Sequence, residues 1–258
     1  MKLIAEGASA GVYVDDNHRL IKLFKDSFPK ERIQKEARNQ KTLYEMGLPV
    51  PKVFEITALN GRYALVMEYI RGTTLGEKII KNTGYVNGIT IEQNLSEETD
   101  SIHTIIDLQI KVHSVTLQEF PLMKEKLTEQ INRVNDLNEK QKGIILKKLD
   151  PMRFRNNVCH GDFHPFNVIE TDKGGIIILD WADAAIGNPE ADIYRTYMII
   201  ELHQPETAEK YLEIYCNKTG ADKEEILHYE PILMTARLSE TITKKERAEI
   251  LHRLKKYV

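Results

Sequence analysis

The sequence predicts an α+β chain, with a small β-rich part over residues 1–70 and a larger, mainly helical part over residues 71–258. Three features carry that reading. Short apolar runs separated by Gly, Asn and Asp turns fill the first part, with one stretch of helical period among them. At "RGTTL", residues 71–75, the pattern changes and long amphipathic stretches take over. Runs of strands followed by runs of helices, rather than strict alternation, mark an α+β layout.

Each element has its own signal. "MKLIAE", "VYVDD" and "RLIKLFK" read as three short strands joined by the small-residue turn "GASAG" and by "NH". "PKERIQKEARNQKTLYEMG" reads as a helix: Ile33, Ala37, Leu43 and Met46 recur at helical spacing, Pro29 stands at the start, and Gly47 with Pro49 marks the end. "KVFEIT", the "LNG" turn and "RYALVMEYI" make a hairpin. "TLGEKIIKN" is a short helix, and residues 82–98, polar with two glycines, read as a loop or a poorly formed insertion. "TDSIHTIIDLQIKVHSV" is a long amphipathic helix with Ile102, Ile105, Ile106, Leu108 and Val112 on its buried side. Two charged helices fill residues 121–149, "NVIETDKGGIIILDW" is a second hairpin, and helices complete the chain. The last of these turns Ile250, Leu251 and Leu254 inward.

Composition excludes several classes. With 29% charged residues and a formal net charge of −3, the chain is no broadly electrostatic nucleic-acid binder. The two cysteines, Cys159 and Cys216, are far apart and form no metal-like pair, as expected of a reduced intracellular protein. "MKLIAEGASAG" turns polar too soon for a signal peptide, and no apolar run has the length of a membrane span. A cytoplasmic protein with no membrane partner is expected.

The chemistry concentrates in "VCHGDFHPFNVI", residues 158–169, where apolar flanks frame two histidines, an aspartate and an asparagine. Polar groups on a loop held by the core are a common setting for catalysis. One reading is a metal site, because His160, Asp162 and His164 alternate along an extended segment. The other is phosphoryl transfer, which makes demands elsewhere. It needs an aspartate to accept the proton of the attacking hydroxyl and an asparagine a few residues on for Mg²⁺. It also needs a second metal-binding aspartate after a strand, a strand lysine for the phosphates and a glycine-rich loop over them. Asp162 is followed at five residues by Asn167, and the strand "GIIIL" ends at Asp180. Lys22 stands between Ile21 and Leu23 and so points to the opposite face of its strand from them. Glu36 lies in the following helix, within reach of Lys22, and Gly7 and Gly11 bracket the turn between the first two strands. The metal-only reading has no use for Lys22, Glu36 or the glycines.

"HGDFHPFNVI" followed by "IIILDWADAAIGNPEADIYRTY" resembles the aminoglycoside phosphotransferase and choline kinase family, relatives of the protein kinases. "GASAGVY" is similar to that family's nucleotide loop, "ALVMEYIRGTTL" to its hinge strand, and "DLQIKVHSV" to a helix that often ends in Leu-His, here Val112-His113. The resemblance covers roughly residues 1–200. It implies a two-lobed protein-kinase-like fold, with residues 1–70 as nucleotide-binding lobe, residues 71–258 as catalytic and acceptor-binding lobe, and the nucleotide between them. It further implies ATP and Mg²⁺ as cofactors, Asp162 as catalytic base, Asn167 and Asp180 as Mg²⁺ ligands, and Lys22 with Glu36 as the phosphate-binding ion pair. Ser9 would lie over the phosphates, Glu68, Tyr69 and Ile70 would form the adenine hinge, and Asp192 would brace the catalytic loop.

What is missing points to a small acceptor. Phosphorylation-regulated protein kinases place an arginine before the catalytic aspartate, and here that place is Gly161. They have Phe-Gly where this chain has Trp181-Ala182, and "WADAAIG" is too short for a peptide-docking segment. The expected partner is a small-molecule hydroxyl, an amino sugar or amino alcohol favoured, with Asp183, Glu190, Glu201 and Glu240 as candidate carboxylates for its amine. An atypical protein kinase and a nucleotide-binding pseudokinase are the alternatives.

Overall fold

The computed structural model describes the chain except residue 8 and residues 83–84, 87–88 and 91–94, with the side chains of residues 80–97 also left undescribed. The expected insertion at 82–98 lies in part outside the described residues, and its described part includes two short strands and the start of a helix rather than only loop. Two compact units emerge: residues 1–98 with 165–183, and residues 99–164 with 184–258.

The first unit opens with β1 (Lys2–Glu6), β2 (Ala10–Val14), β3 (Arg19–Phe24), α1 (Lys30–Glu45), β4 (Val53–Leu59) and β5 (Arg62–Glu68). The five strands form one antiparallel sheet in the order β1-β2-β3-β5-β4. The β4–β5 turn places Asn60 and Gly61 at positive φ, 50° and 80°, which a tight hairpin with the right-handed strand twist requires. Strand alternation splits the core in two. Ala10, Phe24, Leu65 and Met67 pack with Ile33 and Ala37 of α1 on one face, and Ile21, Leu23, Ala64 and Val66 cluster separately. Leu43 of α1 is fully buried, but Met46 is 50% exposed, because it falls past the last helical turn.

The same unit continues with β6 (Gly72–Thr74), α2 (Leu75–Asn82) and the two-residue strands β7 (Tyr85–Val86) and β8 (Ile89–Thr90), which pair with each other. The boundary expected at residue 70 falls inside this unit for a physical reason. β6 pairs with β10 (Val168–Thr171), which pairs with β11 (Ile176–Ile178), so backbone hydrogen bonds tie residues 72–74 to the second hairpin.

The second unit is mainly helical: α3 (Leu95–His113) from residue 99 onward, α4 (Met123–Arg133), α5 (Glu139–Leu149), α6 (Pro189–Glu201), α7 (Pro205–Thr219), α8 (Lys223–Leu227), α9 (Glu230–Arg237) and α10 (Lys244–Leu254). Ile102, Ile105, Ile106 and Val112 of α3 are buried as the spacing predicts, while Leu108 is half-buried and the fully buried neighbour is Gln109. Asn138 and Gln141 form a reciprocal cap at the start of α5, satisfying two otherwise unpaired N–H groups. Ile250 and Leu254 of α10 are fully buried and Leu251 is half-buried. A short ribbon, β9 (Asn157–Cys159) with β12 (Ala185–Gly187), flanks the "HGDFH" segment. No helix among the described residues is long and apolar enough to cross a membrane.

Candidate active site

The expected site residues fall into two constellations, one in each unit. In the first unit Lys22 shares its strand face with Leu20 and Phe24, which pack with residues of α1, while Ile21 and Leu23 belong to the other face. Alternation thus delivers Lys22 toward α1, where its Nζ donates to Glu36 Oε1 at 2.7 Å. The same nitrogen lies 3.3 Å from Asp180 Oδ1. Burial works against the charged ammonium, but Asp180 and Glu36 outweigh it and raise the pKa of Lys22. Lys22 is therefore a fixed cation at neutral pH, with a carboxylate on either side.

Asp180 follows β11 with φ 56°, a left-handed conformation that aspartate tolerates better than most residues. Its side chain is half exposed. The N–H of Leu179 donates to the carbonyl of Asn167 at 2.7 Å, extending the β10–β11 register by one step. Asn167 and Asp180 consequently leave the same end of one hairpin. A carboxylate and an amide, both hard oxygen donors, suit Mg²⁺ rather than a thiophilic metal.

The remaining nucleotide-loop and hinge residues are placed as follows. The turn between β1 and β2 closes through Gly7 N–H to Ala10 carbonyl at 2.8 Å, and Ser9 accepts from Lys25 N–H at 3.0 Å. Gly11 lies in β2 opposite Leu23. Glu68 ends β5, its carboxylate accepting from Lys52 N–H at 3.2 Å, and Tyr69 and Ile70, half-buried, lead on to β6.

In the second unit the "HGDFH" segment is braced by Asp192 of α6. Asp192 is buried and accepts from His160 N–H at 2.9 Å and Gly161 N–H at 2.7 Å, while His113 Nε2 lies 3.0 Å away. Burial alone would raise the Asp192 pKa, but the His113 contact, its charge and that of His160, and the Gly161 N–H bond lower it overall. Gly161 has φ 81°, a conformation that disfavours a side chain, so the residue read as a missing arginine is also a backbone requirement. Phe163 is fully buried, and its carbonyl accepts from Thr196 Oγ1 at 2.7 Å. Gln109 donates to Thr196 Oγ1 at 3.0 Å and accepts from Tyr211 at 2.6 Å, so a buried network fixes the loop.

Asp162 itself is held by Arg195 and His164 among its partners. Arg195 Nη2 donates to its Oδ1 at 3.0 Å, and His164 Nε2 lies 3.5 Å from its Oδ2. Burial pushes its pKa up, but the His164 bond and the Arg195 charge outweigh burial and hold it well below the usual carboxylate range. Asp162 is thus ionised at neutral pH, the state a proton acceptor needs.

A model of the phosphotransferase enzyme family matches residues 1–227. The chain belongs to that family. Among curated relatives, acyl-CoA dehydrogenase family member 11 of Homo sapiens is 25% identical over 177 residues, covering 63% of this chain and 22% of its own length. Family member 10 of Mus musculus is 24% identical over 227 residues, covering 73% of this chain and 20% of its own. The chain spans about a fifth of the length of the curated relatives it matches. Two solved structures share its fold. A choline kinase from Streptococcus pneumoniae matches with a TM-score of 0.67 and 16% identity, over 100% of this chain and 93% of that one. An aminoglycoside phosphotransferase from Streptomyces rimosus, in complex with ADP and streptomycin, matches with a TM-score of 0.59 and 17% identity, over 88% and 92%. The kinase-like fold expected from the sequence is therefore present.

Sequence reasoning missed Arg195 in this phosphotransferase. Its one signal was position: three residues after Asp192 on the same helix, hence on the same face. The alternating trio His160, Asp162 and His164 does not form a candidate metal cluster. Among the described residues the group with metal-like spacing is His113, Cys159 and Asp192, where Asp192 already serves the backbone. Of the candidate acceptor carboxylates, Glu190 pairs with Arg155 and Glu201 with Arg253, while Glu240 pairs with Arg195 and Arg237.

Proposed function

We propose that the chain transfers the γ-phosphoryl group of ATP to a hydroxyl of a small molecule, with an amino sugar or amino alcohol as the favoured acceptor. The observation that carries this reading is the Lys22–Glu36–Asp180 arrangement, a buried strand lysine fixed between two carboxylates. A structural ion pair needs one carboxylate; the second, half exposed at a strand end, suits a cation that travels with phosphate.

Each residue then has a role. Asp162 accepts the proton of the acceptor hydroxyl, and Arg195 and His164 keep its carboxylate ionised and oriented. Lys22 holds the α- and β-phosphates, with Glu36 fixing its Nζ. Gly7, Ser9 and Gly11 supply the loop over the phosphates, and Glu68, Tyr69 and Ile70 supply the adenine hinge. Asn167 and Asp180 would hold Mg²⁺, which supplies charge neutralisation at the phosphates. Positioning and electrostatics do most of the work, since phosphoryl transfer asks little covalent chemistry of the protein.

Support for a small acceptor comes from the segment after Asp180. It runs through a tight turn at Trp181–Asp183 into β12 and α6, leaving no stretch to dock a peptide. The related folds include a choline kinase and an aminoglycoside phosphotransferase crystallised with streptomycin. A phosphorylation screen with ATP and Mg²⁺ over amino sugars, cholines and amino alcohols, run beside a protein mixture, tests the reading. Label appearing in a small hydroxylated amine supports it. Label appearing only in protein makes the chain an atypical protein kinase.

A further inference from the structure

Glu240 lies on the segment between α9 and α10, far in sequence from the catalytic loop. Arg195 Nη2 donates to Asp162 Oδ1 at 3.0 Å and to Glu240 Oε2 at 2.8 Å. One nitrogen serving both carboxylates caps the separation of those two oxygens at about 5.8 Å. Arg237 Nη1 donates to the same Glu240 oxygen, and Arg237 Nε is held in turn by Glu246 Oε1 at 2.8 Å. Glu240 is gripped from two sides, which fits an internal support better than a carboxylate waiting for a ligand's amine.

We propose that Glu240 is a positioning residue for phosphoryl transfer: it shares Arg195 with Asp162 and so fixes where that guanidinium meets the base. A guanidinium facing a single carboxylate tends to bind it through two parallel N–H bonds. Held partly by Glu240, Arg195 meets Asp162 from a fixed direction and steadies its carboxylate. This rests on the phosphotransfer reading and extends it beyond the catalytic loop. In the step itself the acceptor O–H gives its proton to Asp162 and the acceptor oxygen bonds to Pγ. The bond from Pγ to the β-phosphate oxygen breaks, releasing ADP.

The test compares the wild-type chain with Glu240→Gln, Glu240→Asp and Glu246→Gln. Phosphate transfer from ATP to water, and to whichever screened hydroxylated amine the wild type accepts, is measured beside the melting temperature. Glu240→Gln should lower kcat on the order of tenfold while the KM values for ATP and acceptor stay within about twofold. Glu240→Asp, which keeps the charge one methylene further back, should fold even if the glutamine variant does not, with a kcat between the two. Glu246→Gln loosens Arg237 without touching Arg195 and should keep a wild-type kcat. Wild-type kcat in both Glu240 variants overturns the proposal, as does a raised acceptor KM at unchanged kcat. Equal kcat losses at Glu240 and Glu246 overturn it too, because they reduce the effect to loop stability. A wild-type chain that moves phosphate to neither water nor any hydroxyl sinks the phosphotransfer reading, and this inference with it.

Discussion

Replacing Arg195 by methionine probes the heart of the second constellation. The substitution keeps most of the side-chain bulk but removes the cation between Asp162 and Glu240, whose facing oxygens lie within about 5.8 Å. With Arg195 gone, Glu240 keeps Arg237 and Asp162 keeps His164, but the two carboxylates still repel by about 3 kcal/mol at an effective dielectric of about 20 before that partial neutralisation. Each is 25% exposed, so water takes up part of the repulsion, and a net loss of about 2–3 kcal/mol is expected. For a chain of this size that corresponds to a fall in Tm of roughly 5–10 °C. The pH dependence has a definite sign. In the wild type, burial raises the Asp162 pKa, but His164 and Arg195 outweigh it and depress the folded-state value. A depressed carboxylate contributes stability that is present above its unfolded pKa, near about 3.9, and lost as pH falls through the folded value. The variant forfeits much of that contribution, so its Tm deficit should be full at pH 7. The deficit should shrink toward about pH 4, where the repelling carboxylates begin to take up protons. Calorimetric melts of both proteins at the two pH values check this. A deficit under about 1 °C, or one of equal size at both pH values, would refute the electrostatic role of Arg195.

Two other perturbations separate the remaining roles. Gly161→Ala places a Cβ on a residue with φ 81°, at a cost of about 1–2 kcal/mol, and should lower the melting temperature by a few degrees; an unchanged melt would show that the loop relaxes freely. Asp180→Ala should weaken Mg²⁺-nucleotide binding more than metal-free nucleotide binding. Calorimetric titration with and without Mg²⁺ finding equal losses would remove Asp180 from the metal site.

Much of this geometry was legible in the sequence because it obeys local periodicities. Strand alternation set Lys22 on the opposite face from Ile21 and Leu23, and the family resemblance implied its partner Glu36 in the following helix; the two meet at 2.7 Å. The run "GIIIL" placed Asp180 at a strand end, although its left-handed backbone had no sequence signal beyond the residue type. Arg195 was not legible, because its partners lie 33 and 45 residues away and no local period links them. The same limit applies to Glu190, Glu201 and Glu240: sign of charge says nothing of which arginine folds back onto each. β6 escaped notice because three residues, "GTT", carry too little alternation to reveal a strand that only pairing with β10 stabilises. Met46 and Leu108 fit the helical spacing yet are exposed or half-buried, one for lying past the helix end and the other for yielding its place to Gln109.

The assignment of Asp162 as the base is tested most directly by Asp162→Asn, assayed for transfer of labelled phosphate from ATP with nucleotide binding measured in parallel. Asparagine keeps the shape of the side chain and can still accept from Arg195, but it cannot take the acceptor's proton. We expect unchanged nucleotide affinity and a fall in kcat on the order of a hundredfold or more. Turnover near the wild-type rate with binding intact would contradict the assignment.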